Sequence, residues 1–351
     1  MAINDILKTA LENKASDIHI VVGQPPLIRM HTVMTPMDLP LVTAESSLRM
    51  AKEIMSEKRL GMFDEIRDAD FSHEIPGFAR FRVNAHYQRG TVAMAFRVIT
   101  DKVRALDQLG LPEVVQRLTY LPRGLVLVTG GTGSGKSTTL AGMIDAMNRR
   151  YSKHIITLED PIEYLLHSQK CTIEQREIGA DVPSFASGLK HVLRQDPDII
   201  LVGEMRDLET TSAAISAAET GHFVMSTLHT NSAAQTIERI IDIYPGEQQN
   251  QIRSMLANTL QAVVCQELLK RIDQPGMVPS VEVLLVTAAV RNLIRENRIY
   301  EIQNVIETSR ALGMQTMDTS LKQLFLNGKI SKEDAVAVAH HPEKLERQLV
   351  A

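Results

Sequence analysis

The sequence predicts an α/β domain on a mostly parallel sheet, preceded by a smaller α+β domain. Three observations carry this. From residue 112 onward, short apolar runs alternate with helix-length segments, the texture of strand–helix–strand units. One such run, 125–129, is apolar or β-branched throughout, as a strand buried on both faces is, and it leads into a glycine-rich loop and a helix. Before residue 98 the pattern has period two: Phe81, Val83 and Ala85 alternate with polar residues, as do Val92, Met94, Phe96 and Val98, with Gln88, Arg89 and Gly90 as the turn of a hairpin.

In chain order, residues 3–14 form an amphipathic helix with Ile3, Ile6, Leu7, Ala10 and Leu11 on one face. A strand over 17–22 ends at Pro25 and Pro26, another follows at 27–30, and 43–58 reads as one helix capped by Thr43. With the hairpin (79–87 and 91–99) these make a first domain over 1–98. The polar stretch after it, with Gly110 near its end, is the linker, 99–111, and the second domain runs over 112–351. Its strands are expected at 124–129, 154–158, 198–203 and 222–228. Beyond about residue 245 the chain is expected to be mainly helical, with a strand pair near 268–286.

Bulk composition narrows the function. The chain's 351 residues give ample material for two cores. A net charge of −4 with 4% aromatic residues argues against a nucleic-acid motor, which needs basic faces and stacking rings. Cys171 and Cys265, far apart, can build neither a disulfide framework nor a zinc cluster, which fits a reducing compartment. The polar N-terminus is no signal peptide, and no apolar run approaches the ~20 residues of a membrane span. A cytoplasmic protein is expected, meeting a membrane only through a partner.

The segment GGTGSGKST, 130–138, fits the phosphate-loop pattern in Gly130, Gly135, Lys136 and Ser137. Glycines let successive backbone N–H groups wrap an anion without Cβ clashes, and the helix N-terminus adds its partial positive charge. Gly130, Thr132, Gly133, Ser134, Gly135, Lys136, Ser137 and Thr138 are therefore the candidate ATP-binding set. Lys136 would reach the β- and γ-phosphates and Ser137 would ligate Mg²⁺.

Ligands of open α/β sheets bind at the carboxyl ends of strands. The second strand ends in Glu159 and Asp160, and Pro161 could turn Glu163 inward, giving three carboxylates aimed at the phosphates. The third ends in Glu204, the candidate to polarise the attacking water. Gly203 stands where a magnesium-binding aspartate is usual, so metal ligation falls on Ser137, phosphates and waters, with Glu163 and Glu204 reached through water. On the fourth, His222 and His229 are seven positions apart, roughly 20 Å in an extended strand, so both cannot touch one phosphate. His229 belongs with the chemistry; His222 is structural or at a subunit contact. Phosphoryl transfer needs further cations. In the second domain only Arg194 and Arg206 suggest themselves. The first carries Arg80, Arg82, Arg89 and Arg97, of which Arg82 and Arg97 lie on the hairpin strands and could act as arginine fingers.

At this point the residues resemble a family. GGTGSGKST, TLEDPIEY (157–164), DPDIILVGEMRD (196–207) and AAETGHFVMSTLHTNSA (217–233) resemble the four boxes of the secretion and pilus motor ATPases. The run AVRNLIRE (289–296), with ASDIHI, FRVNAHYQRG and GMQTMD elsewhere, is similar to the branch that retracts type IV pili, and the likeness covers almost the whole chain. The resemblance implies a PAS-like N-terminal domain, a RecA-like C-terminal domain and a homohexamer that hydrolyses ATP at subunit interfaces. It further implies a place at the inner face of the inner membrane, coupled through a platform protein to pilin removal and twitching motility. It assigns Glu163 to the Asp box, Glu204 to Walker B, His222 and His229 to the His box, and Arg82 and Arg97 to the N-terminal fingers.

The tetracysteine motif of many extension ATPases is missing, which separates this chain from pilus extension and type II secretion. A non-hydrolysing scaffold is argued against by Glu163, Glu204 and His229 being present. Three departures are mild: Gly131 for proline, which loosens the loop, Val290 for isoleucine, and Thr32 where glycine is commoner. In the AVRNLIRE run, Val290, Leu293 and Ile294 share an apolar face while Arg291 and Arg295, four apart, share another. The spacing alone reads as a packed surface helix; the resemblance makes it a force-coupling element.

Overall fold

Period-two alternation produces the first sheet. The computed structural model, which describes residues 2–30 and 33–349, forms β1 (Asp17–Ile20), β2 (Leu27–Met30), β3 (Val33–Pro36), β4 (Asp68–Ile75), β5 (Ala79–Gln88) and β6 (Thr91–Ile99). Their order is β3-β2-β1-β6-β5-β4, antiparallel throughout. Arg89 (φ 48°) and Gly90 (φ 77°) are both left-handed, as the two-residue turn of a hairpin requires. Phe81, Val83 and Phe96 point to one face, where they pack with Ile3, Ile6 and Leu7 of the helix Ile3–Glu12 and Met50 of the helix Ala44–Ile54. The single helix expected over 43–58 is two. Met55 is extended, and the Ser56 side chain accepts from Arg59 N–H to cap a second helix, Glu57–Ile66. β4 was not foreseen: it is an edge strand whose polar residues blur its period. Thr32 lies outside the described residues.

The second sheet contains β7 (Gly124–Thr129), β8 (His154–Glu159), β9 (Thr172–Glu177), β10 (Ile199–Val202), β11 (Phe223–Leu228), β12 (Leu260–Lys270) and β13 (Met277–Leu285). The order is β13-β12-β7-β11-β10-β8-β9, parallel except for β12 with β13. Within β7, Leu125 and Leu127 enter one core with the helices Leu208–Glu219, Ala233–Asp242 and Gln249–Thr259. Val126 and Val128 enter another, with Glu113–Leu118 and Lys136–Asn148. Helices on both faces explain why these strands read as unbroken apolar runs. β9 was missed because an edge strand of sequence TIEQRE carries no apolar signal. The strand pair begins at Leu260, earlier than expected, because Ala262 to Cys265 are buried beside β7. A last core joins Leu269 and Val278 to Met317, Leu321, Ala335 and Leu345 of three C-terminal helices.

Two compact units result: one runs to Lys102 and includes Pro161–Leu165, the other comprises Val103–Asp160 and the chain from Leu166 on. The division falls inside the 99–111 stretch, whose Leu106 is buried in a core of the second unit. Among the described residues, no helix is long and apolar enough to cross a membrane.

Candidate functional site

The parallel sheet brings the carboxyl ends of β7, β10 and β11 to one edge, and each continues into a loop bearing candidate residues. After β7, Gly130 (φ 141°), Gly133 (φ 80°) and Gly135 (φ 89°) are left-handed. A Cβ at Gly130 would stand 2.2 Å from the Gln266 carbonyl oxygen, so space as well as conformation demands glycine; at Gly133 nothing lies within 4 Å. Most helices here have an N-terminus closed by a side chain, as Ser184, Asp207, Ser232 and Thr287 do. Lys136–Asn148 begins at Gly135 with no side-chain cap, so no cap side chain stands between its N-terminus and an anion. The Lys136 ammonium donates to the carbonyls of Gly130 and Gly131, each at 2.8 Å, so Gly131 is held despite replacing proline. Ser134 Oγ is buried without a hydrogen-bond partner among the described residues.

No group of three His, Cys, Asp or Glu residues that could hold a metal occurs among the described residues. A divalent ion bound mainly by phosphate and water oxygens, with one protein hydroxyl, fits this donor set, and Ser137 on the first helical turn carries such a hydroxyl.

Glu204 is set by its neighbours in the chain. A Cβ at Gly203 would come within 3.1 Å of the Leu158 carbonyl oxygen and 3.3 Å of the Phe185 ring, so the aspartate usual there would press both by a few tenths of an ångström. Thr227 on β11 holds both flanking residues: its hydroxyl donates to the Gly203 carbonyl (2.6 Å) and its carbonyl accepts from Met205 N–H (3.1 Å). Glu204 Oε1 then lies 2.6 Å from Arg206 Nε and 3.4 Å from His229 Nε2. The hydrogen bond and the charge of Glu204 push the Arg206 pKa up. Glu204, Arg206, His229 and Thr230 line a cleft of about 540 Å³ together with Arg239. Arg239 escaped the sequence reading, and no motif signals it; it stands on the helix Ala233–Asp242 that follows the His box. Arg194 is exposed beyond the helix Phe185–Val192 and does not line the cleft.

Other candidates go elsewhere. His222 precedes the end of β11 that pairs with Gly124, whereas Leu228 pairs with Thr129 at the loop end. Its Nδ1 lies 3.0 Å from the Ala217 carbonyl oxygen and 3.2 Å from Thr220 Oγ1, contacts within its own turn. Of the three carboxylates expected to aim at the phosphates, Glu159 is taken by its own sheet, accepting from Thr157 Oγ1 (2.6 Å) and Gln175 Nε2 (2.9 Å). Glu163 is exposed, in the Pro161–Leu165 segment that groups with the first unit, where Tyr164 bridges to Thr100.

In the first unit, strand register aligns Arg29, Asp17, Arg97 and Arg82 in one row across β2, β1, β6 and β5. Arg97 Nε donates to Asp17 Oδ1 at 2.9 Å, and Arg29 lies 3.9 Å from the same carboxylate. Burial opposes ionisation of Asp17, but hydrogen bonds from Arg97 and Ser16 outweigh it and hold the carboxyl below its usual range. Arg82 and Arg97 face each other directly, a like-charge pairing that costs stability.

The AVRNLIRE run forms the helix Ala288–Arg295, burying Val290, Leu293 and Ile294. Its arginines meet one residue at the end of the preceding helix: Arg291 Nη1 donates to the Asn258 carbonyl (3.2 Å) and Arg295 Nη2 to Asn258 Oδ1 (2.6 Å). Cations at a helix C-terminus are favoured by its dipole.

The chain is similar to known proteins over most of its length. A family model described as Type II/IV secretion system protein matches residues 1–278. The Type IV pilus retractation ATPase PilT of Pseudomonas aeruginosa is 47% identical over 343 residues, covering 98% of this chain and 99% of that protein. A twitching motility protein of Neisseria gonorrhoeae is 45% identical over 344 residues, covering 98% of this chain and 92% of that one. The crystal structure of the pilus retraction motor PilT with bound ADP matches with a TM-score of 0.92 at 45% identity, covering 99% of each chain.

Proposed function

The chain belongs to the Type II/IV secretion system protein family, and on that premise we propose that it is an ATP-hydrolysing motor driving type IV pilus retraction. The observation that carries the chemistry is the shared edge of one parallel sheet, where an uncapped helix start follows a left-handed glycine loop and Glu204 stands beside His229. Backbone N–H groups of 130–138 bind the phosphates. Lys136 exchanges its two carbonyl acceptors for β- and γ-phosphate oxygens. Glu204, oriented by Arg206, His229 and the two Thr227 contacts, takes a proton from the attacking water. That water's oxygen bonds to the γ-phosphorus as the bond to the bridging oxygen breaks, giving ADP and phosphate.

Ser137 would hold Mg²⁺ directly, with Glu163 and Glu204 acting through water; the ion, when bound, neutralises charge on the phosphate oxygens. Arg82 and Arg97, from the PAS-like N-terminal unit of a neighbouring subunit, stabilise charge on the transferred phosphoryl group. The working form is a homohexamer in the cytoplasm, at the inner face of the inner membrane, which removes pilins through a platform protein.

Hydrolysis and ADP binding by three purified chains test this. Lys136→Ala should lose both. Glu204→Ala should keep ADP and lose about 10²–10⁴-fold in turnover. Normal turnover there would remove Glu204 from the chemistry. Deletion in the host should leave pili that extend and never shorten; loss of pili altogether would point to extension instead.

A further inference from the structure

Gln266 has no place in any of the four motor boxes, yet its side chain bonds both the phosphate loop and the helix that follows it. It lies on β12 one residue beyond the Cys265–Thr129 pair, beside the point where β7 turns into the loop. Its side chain is buried, the residue being 2% exposed, and both ends of the amide are used. Nε2 donates to the Ser134 carbonyl at 2.8 Å, and Oε1 accepts from Thr139 Oγ1 at 2.9 Å. Its own backbone carbonyl is the atom that a side chain at Gly130 would strike. Only a carboxamide of this length answers both polar partners. The Ser134 carbonyl can only accept, so a carboxylate would set oxygen against oxygen, and an apolar side chain would leave both groups buried without a partner.

The contact with Ser134 has a consequence for the ligand. In a planar trans peptide the C=O and the following N–H point in opposite directions. Holding the Ser134 carbonyl against β12 therefore aims the Gly135 N–H away from β12, at the start of the helix whose N-terminus has no side-chain cap. The Thr139 contact ties the first helical turn to the same amide, so loop and helix start keep one relative setting.

We propose that Gln266 is a positioning residue that holds the phosphate loop in its anion-binding form by fixing the Ser134–Gly135 peptide. It acts through the loop and does not touch nucleotide. The inference rests on the nucleotide-binding reading of the loop. The loop's amides bind phosphate in the ground state and the transition state alike, so the loss should fall on affinity and leave the chemical step.

Gln266→Glu keeps the shape and removes the N–H; Gln266→Met keeps the length and removes both polar ends. Gln261→Met, at the far end of β12, where the amide donates to the Thr259 carbonyl (3.3 Å), controls for disturbing the strand. In the full chain, Gln266→Glu should raise the ADP Kd and the ATP KM about tenfold or more, and Gln266→Met by less, while kcat at saturating ATP stays within about threefold. Gln261→Met should leave both values near wild type. Thermal melting without nucleotide separates this from a simple loss of fold: a fall in Tm with the ADP Kd within about twofold of wild type, in both Gln266 variants, overturns the proposal. An equal affinity loss in Gln261→Met overturns it too. If the wild-type chain bound no ADP, the nucleotide reading itself would fail, and the role of Gln266 with it.

Discussion

The phosphate loop and the arginine row both gather positive charge, and they are built over very different distances along the chain. The loop is consecutive residues: left-handed glycines at 130, 133 and 135 shape it, and Lys136 closes on its own carbonyls. The row takes Arg29, Asp17, Arg97 and Arg82 from four strands and exists only because pairing sets them side by side. Local geometry shapes the first site, and Gln266 of β12 holds it from one side. The second is a set of long side chains on an outer sheet face, steadied by Asp17, with Arg97 leaving 72% of its side chain exposed. A cradle benefits from being fixed; side chains proposed to reach another subunit's phosphate benefit from being long.

The largest expected effect would break the loop. Gly130→Ala places a Cβ 2.2 Å from a backbone oxygen at φ 141°, whereas Gly133→Ala meets nothing within 4 Å. Urea unfolding should show Gly130→Ala costing about 3 kcal/mol or more with ADP binding lost, and Gly133→Ala about 1–2 kcal/mol from backbone strain alone. Equal costs would mean that β12 does not confine the loop.

Next come the arginines. Arg82→Ala and Arg97→Ala should each lower turnover by about 10³-fold, the scale of an arginine finger, while ADP affinity stays near wild type. A matching loss of ADP affinity would make them ground-state binders. Unchanged turnover would leave the row a structural feature.

The smallest effect concerns how Asp17 steadies the row. Hydrogen bonds from Arg97 and Ser16 hold its folded pKa below the ordinary aspartate value. Its ionised form therefore adds stability above the unfolded pKa, and that stability is lost as pH falls through the folded value. Asp17→Asn should destabilise the chain by roughly 0.5 kcal/mol at pH 7, discounted for the exposed arginines, and by nothing measurable at a pH below the folded pKa, where both states are protonated. Urea midpoints at the two pH values check it. A difference that persists in acid would show that Asp17 acts through shape.

Glu204 and His229 were legible as separate residues, since each follows an apolar run that a parallel sheet must end on one edge. What sets Glu204 was not: Thr227 holds Gly203 and Met205 from another strand, and Arg239 reaches the cleft from a helix with no motif. The expectation for Glu159 and Asp160 used the same strand-end rule as Glu204. It failed for Glu159 because an unforeseen edge strand, β9, brought Gln175 within hydrogen-bonding range. Arg291 and Arg295 were correctly placed on one helical face, but their common partner, Asn258, belongs to a helix that ends before β12 begins.

By itself the amino-acid order determined what rests on neighbours a few residues apart: the glycine loop, the capped helix starts, the hairpin turn, and the buried strands that read as apolar runs. Those features arise from backbone sterics and local hydrogen bonds, which act over single turns. Tertiary structure alone decided which distant residues meet. The register between β12 and β7 put Gln266 against Ser134, and the register of β1, β5 and β6 put Arg82 and Arg97 side by side. Pairing register is selected by burying one face of every strand at once, a condition satisfied by the whole sheet and written in no single segment.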